Sequence, residues 1–203
     1  AGSRRCAEAA RVGAPQAGVP LTSSQRSMLS IATVLGTMMY AIDSTIVNVA
    51  LPHMQGNLQA SQDQAAWILT SYIVVSAIMT PLAGWLGTRF GLRPVMLASV
   101  VGFTVGSMLC GIATDLGQIV AFRVLQGISG AALVPLGQVV LLQEYPREQH
   151  AKVTALWGMG VLLGPVIGPT LGGWLTDELS WRWAFYINLP FGLLAFLGMY
   201  ATM

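Results

Sequence analysis

Six stretches of this chain are apolar for long enough to cross a lipid bilayer, and this constrains the fold more than any other feature. A helix rising about 1.5 Å per residue needs about 20 apolar residues to span the hydrocarbon core. Met28–Leu51, Ala65–Leu86, Val95–Ala113, Leu116–Leu142, Val153–Leu175 and Trp183–Met203 all qualify. Within them only Asp43 and Arg123 carry a full charge. Across the whole chain only 9% of residues are charged. A soluble domain of this size carries about 25%, so water cannot be the main solvent. The expected class is an all-α membrane protein, a bundle of six transmembrane helices.

The rest of the sequence organises around those spans. Residues 1–27 read as a disordered cytoplasmic tail and 28–203 as the six-helix transmembrane bundle. Arg4, Arg5 and Arg11 would also fit a transit peptide, but no cleavage-like pattern follows them. Turn chemistry separates the runs: Pro52, Gly56 and Asn57, then Gly91 and Pro94, then Pro146.

Basic residues fall on one side if the spans alternate: Arg26 with the tail, then Arg89 and Arg93, then Arg147 and Lys152. The opposite connections hold Arg182 beside Asp63, Asp115, Asp177 and Glu178. By the positive-inside rule the N-terminus is cytoplasmic and the chain is a multi-pass protein of the cytoplasmic (inner) membrane. Trp174, Trp181 and Trp183 read as an aromatic belt at the outer interface.

Three features point toward chemistry. Asp43, a carboxylate inside a span, is costly to bury and marks a cavity or site. Counting residues from the outer helix ends places Asp43 and Arg123 at the same depth, roughly 10–12 Å below the outer surface. The alternatives are a purely structural ion pair, or an arginine that snorkels to the interface. Met39, Tyr40, Ile46 and Val47 surround Asp43 at helical spacing, and Gln126 lies one turn from Arg123. That lining suits a bulky lipophilic ligand better than a sugar.

Gly160, Gly164, Gly168 and Gly172 recur every fourth residue, leaving one helix face bare for close backbone approach. Pro165 and Pro169 should bend that helix, and a bent helix with a smooth face suits a moving, sealed interface. Ordinary tight packing is the plainer reading. Gly84 and Gly91 would allow a tight turn, with Arg89 and Arg93 as cationic anchors.

Other functions find little support. Cys6 and Cys110 lie in different environments, so neither a disulfide nor a metal site is expected. His53 and His150 fall on opposite sides of the membrane and cannot form one acid–base or metal site. A net charge of +2 is too small to suggest nucleic acid. No enzyme activity and no cofactor are expected, and one buried acid does not make a channel's selectivity ring.

Together these motifs resemble the major facilitator superfamily and, within it, the fourteen-span drug:proton antiporters of the EmrB/QacA type. Asp43 through Pro52 resembles the first-helix signature of that subgroup, and Gly84 through Arg93 the superfamily's loop motif. Arg123-Val124-Leu125-Gln126-Gly127 resembles the fourth-helix motif. Gly164, Pro165, Gly168, Gly172 and Gly173 resemble the antiporter motif of the fifth helix. Trp181 through Pro190 resembles the segment before the sixth.

The resemblance implies the N-terminal half of a major facilitator fold, with a C-terminal half of the same transporter as partner. It also implies alternating access, with protons and a small lipophilic substrate exchanged across the lipid bilayer. A periplasmic adaptor is a further candidate partner, because EmrB-like members work with one. Asp43 would take a proton from outside and release it inward, with Arg123 changing that carboxyl's proton affinity as the two move relative to each other.

The chain departs from the pattern at Thr88, where an acid is common, and at Leu92, where a basic residue is common. Export of an endogenous amphiphile, such as a siderophore or lipid precursor, is the alternative substrate class. A half-module with no transport activity alone is the alternative state of the chain.

Overall fold

A computed structural model describes residues 22–202. Six long helices run up and down: α1 Ser23–Leu58, α2 Gln62–Phe90, α3 Leu92–Ile112, α4 Leu116–Glu144, α5 Arg147–Glu178 and α6 Trp183–Thr202. Among the described residues there is no strand. The chain is thus all-α, as its apolar runs require.

The helix ends carry their own signals. Thr22 caps α1 and Ser61 caps α2, each through a reciprocal capping box with the glutamine three residues on. Because Thr22 caps a helix that starts at Ser23, the expected tail boundary at residue 27 is corrected. Ser23–Ser27 are helical, and the remainder of the expected tail, residues 1–21, lies outside the described residues.

A second correction concerns Pro52, Gly56 and Asn57. They are not a turn: α1 continues through them and closes at Gln59, which is left-handed with φ 50. Gly91, with φ 92, does form a turn, joining α2 to α3 in a single residue. Pro94 lies in the first turn of α3, where its missing N–H is harmless.

Prolines break two helices and spare the others. Pro135 deletes the hydrogen bond to the Ala131 carbonyl, and α4 divides by a turn at Ala131–Ala132 into Leu116–Gly130 and Leu133–Glu144. Pro190 does the same to Tyr186, and α6 divides at Ile187 into Trp183–Tyr186 and Asn188–Thr202. After one 3-10 turn, α5 is a continuous helix through both Pro165 and Pro169.

The helix α1 is the hub. It packs chiefly against α5 and α6, and also against the second segment of α4. The first segment of α4 lies between α2 and α3, and α3 also meets α6. Two apolar clusters fill the bundle, one around Met39, Phe103 and Met199, the other around Ile46, Ile68 and Phe185.

The helices α2 and α5 are the least buried, with Ile78, Leu162 and Val166 each about two-thirds exposed. In lipid such faces cost nothing, since acyl chains are as apolar as leucine. Trp174 and Trp183 are exposed, as a belt requires, but Trp181 is buried against Phe185 with the Arg182 guanidinium over its ring. Trp181 is therefore a packing residue.

Candidate functional site

Asp43 on α1 and Arg123 on α4 meet in the middle of the bundle, both with 0% of the side chain exposed. Arg123 Nη1 donates to Asp43 Oδ2 at 2.6 Å and also to Gln126 Oε1 at 2.7 Å. Its Nε donates to the Ile68 carbonyl of α2 at 3.3 Å. Asp43 Oδ1 accepts from Gln126 Nε2 and from Asn188 Nδ2, both at 2.9 Å. Because two amides hold Oδ1, the arginine binds the carboxylate through one nitrogen rather than as a two-pronged fork.

The surroundings complete the charge's solvation. Arg123 lies 4.1 Å from the centroid of the Tyr72 ring and 5.8 Å from that of Phe185. An arginine over an aromatic face keeps part of the stabilisation it loses on leaving water. Tyr40 packs 5.9 Å from Tyr72 and 6.1 Å from Phe103, between ring centroids. Asn188 also donates to Ser107 Oγ at 2.8 Å, and Ser107 donates to the Phe185 carbonyl at 2.9 Å. Arg123 Nη2, Asn188 Oδ1 and the Tyr72 hydroxyl are buried without a partner.

The equal depth expected from residue counting is thus realised as direct contact, and Arg123 does not snorkel outward. Met39, Ile46, Val47 and Gln126 are fully buried and Tyr40 is half-buried in this structure. Ile46 faces Gly172 of α5. An open groove of about 420 Å³ lies elsewhere, between α2, α3 and the α4 break, walled by Met79, Leu86, Phe90, Pro94 and Ile128.

The glycine stripe packs inside the bundle. A Cβ on Gly160, Gly164, Gly168 or Gly172 would meet Val34, Ala41, Thr45 or Ile46 of α1. Gly173 is looser, and Pro165 faces outward with Leu162 and Val166. The stripe is therefore a contact within this half, between α5 and α1. The turn motif divides too. Gly84 is an open position inside α2, so the tight turn belongs to Gly91 alone. Arg89 and Arg93 are exposed, and Arg93 donates to the Tyr200 carbonyl at 3.4 Å. Thr88 Oγ1 donates to the Trp85 carbonyl of its own helix at 2.8 Å.

The histidines are far from this site. His53 lies 3.6 Å from Asp177 at one end of the bundle, and His150 bonds the Tyr145 carbonyl at the other. Asn188, Ser107 and Tyr72 are the site residues that sequence reasoning missed. Asn188 did carry a signal, as an amide in a span two residues before a proline, Pro190.

Comparison with known proteins supports this architecture. The family model described as Major Facilitator Superfamily matches residues 33–203. The multidrug export protein EmrB of Haemophilus influenzae is 43% identical over 174 residues, covering 86% of this chain and 34% of that protein. EmrB of Escherichia coli K12 is 41% identical over 184 residues, covering 91% and 36%. The fatty acid resistance protein FarB of Neisseria gonorrhoeae is 40% identical over 176 residues, covering 87% and 35%.

The chain thus spans about a third of the length of these curated relatives. A solved proton:xylose symporter, XylE, superposes with a TM-score of 0.75 at 16% identity, covering 88% of this chain and 45% of the symporter. At that identity the likeness concerns the fold. A six-span bundle, a buried acid–arginine pair and a family match over most of its length place this chain in the Major Facilitator Superfamily.

Proposed function

We propose that this chain works in proton-coupled efflux of lipophilic cations across the cytoplasmic membrane, by alternating access against a second, C-terminal half. The observation that carries the reading is the Asp43–Arg123 contact, fully buried at 2.6 Å. A charged pair in a low-dielectric core costs desolvation energy and is weak evidence for stability. A carboxyl kept there at such cost has a use, and reversible proton binding is the use its chemistry offers. The multidrug export relatives support drugs as the cargo, and the cationic class is read from the one negative charge that would meet it.

In this reading the structure is a closed state of the site. Opening draws Arg123 away from Asp43, changes the carboxyl's affinity for a proton, and exposes Met39, Tyr40, Ile46, Val47 and Gln126 to substrate. A lipophilic cation then competes with the proton for one negative charge. The end bearing Arg26, Arg89, Arg93, Arg147 and Lys152 faces the cytoplasm, and the exposed faces of α2 and α5 meet the second half and the lipid. Thr88 in place of an acid leaves the gate at that end without one carboxylate.

The test is efflux of tetraphenylphosphonium from proteoliposomes holding the product of the whole reading frame, driven by an imposed pH gradient. Asp43→Asn is expected to insert and to lose proton-driven efflux. Undiminished driven efflux in that variant would remove Asp43 from the role. A second substrate class has one observation behind it, the 40% identity to a fatty acid resistance protein. Driven export of a fatty acid, with none of the cation, would favour it.

A further inference from the structure

We propose that Asn188 is a positioning residue for Asp43, locked by Ser107 as an N–H donor to the carboxylate, so that α3 and α6 help set the pH at which Asp43 takes its proton. This rests on the reading of Asp43 as the proton carrier.

The lock follows from counting donors and acceptors. Ser107 Oγ gives its one proton to the Phe185 carbonyl at 2.9 Å. A hydroxyl that has used its proton can only accept further bonds. The part of Asn188 that faces it at 2.8 Å must therefore be the NH2 group. The same nitrogen lies 2.9 Å from Asp43 Oδ1. Turning the amide over would set its oxygen against a carboxylate oxygen and a hydroxyl lone pair at once. On the far side Asn188 Oδ1 is buried without a partner, so nothing there competes for the amide's orientation.

The sequence builds this lock at a helix break. Pro190 divides α6 at Ile187, and Asn188 is the first residue of the second segment. Phe185 lies just before the break and supplies the carbonyl that orients Ser107. Gln126 is constrained independently, since its Oε1 already accepts from Arg123 at 2.7 Å.

Other titratable groups also face the carboxyl. Arg123 of α4 touches it, Tyr72 of α2 and Cys110 of α3 adjoin Arg123 and Gln126, and Tyr40 of α1 packs on Tyr72. The helix α5 meets this stretch of α1 with glycines. Asn188 and Ser107 are neutral, so they act through hydrogen-bond geometry rather than net charge.

Infrared titration of the whole reading frame's product in lipid nanodiscs tests this without a substrate. The signal is the carboxylic-acid C=O band that Asp43→Asn removes. Asn188→Leu keeps the branching and number of heavy atoms and removes the donor, so the protonation midpoint should move to higher pH. Losing one hydrogen bond to a charged acceptor predicts a shift of about one pH unit, tenfold in proton affinity.

Ser107→Ala removes only the orienting hydroxyl. It should shift the midpoint the same way by less, and it serves if Asn188→Leu fails to insert. A pure packing role would lower the melting temperature and leave both midpoints in place, and that result overturns the inference. If Asp43→Asn removes no titrating band at any pH, the proton-carrier reading itself fails, which is a separate outcome.

Discussion

On one side α1 enters a knot of charge, and on the other it lies against a helix with no side chains to offer. Toward α2, α3, α4 and α6 it presents Asp43, which is met by Arg123, Gln126 and Asn188. Toward α5 it presents Val34, Ala41, Thr45 and Ile46, met by Gly160, Gly164, Gly168 and Gly172.

The two contacts solve one problem in opposite ways. Lipid competes with protein for apolar surface, so helices in a membrane associate through polar complementarity or close backbone approach. The knot is specific in chemistry and costly to desolvate. The seam is specific in shape and carries no charge, and the Thr45 hydroxyl in it donates to carbonyls of its own helix and, at 3.4 Å, of Gly164.

Substitutions that exchange charge for volume should break this contrast if it is wrong. The largest effect is expected from Arg123→Leu, which leaves the Asp43 carboxylate buried without its cation. Removing one partner of a buried pair costs about 3–5 kcal/mol. Denaturant unfolding in mixed micelles measures the loss, and adding Asp43→Leu should regain much of it. A single variant as stable as the native protein would show that the knot holds nothing.

A smaller loss is expected in the seam. Gly164→Ala drives a methyl against the Ala41 side chain and against the Ala41 and Ile42 backbone, which cannot rotate away. Overpacking of this kind costs about 1–3 kcal/mol, read by thermal melting. Driven efflux per folded molecule should change little, because the seam carries no charge. Loss of proton coupling at native stability would make the seam part of the mechanism.

The smallest effect is reserved for a glycine outside both regions. A Cβ at Gly84 meets nothing within 4 Å. Gly84→Ala should therefore match native stability or exceed it by up to about 1 kcal/mol, since alanine is the better helix former. A clear loss of stability would show that Gly84 has a contact outside this half.

Some of the site was legible in the sequence because its signals were rare. With two full charges among six apolar runs, opposite in sign and level in depth, Asp43 and Arg123 had few alternatives to pairing. Asn188, Ser107 and Tyr72 were not legible in this way. Neutral polar residues are common in membrane spans, and spacing does not tell a buried amide from one facing a neighbour's carbonyl. The glycine stripe was legible as a face, yet its period names no partner, and only the packed bundle shows that α1 receives it. Pro52 and Pro165 resemble Pro135 and Pro190 in sequence, but only the latter two divide their helices. Whether a neighbour re-satisfies the freed carbonyl is a property of the packed bundle.

The amino-acid sequence determined the number of spans and the two charges that had to be reconciled inside them, because bilayer thickness and the cost of a buried ion act on the chain locally. The tertiary structure alone decided which helix faces which, and therefore that the Asp43 carboxylate is held by α4 and α6 while the glycines serve packing. Helix partners in lipid are chosen by shape and hydrogen-bond geometry across residues far apart in the chain, and no local pattern encodes that choice.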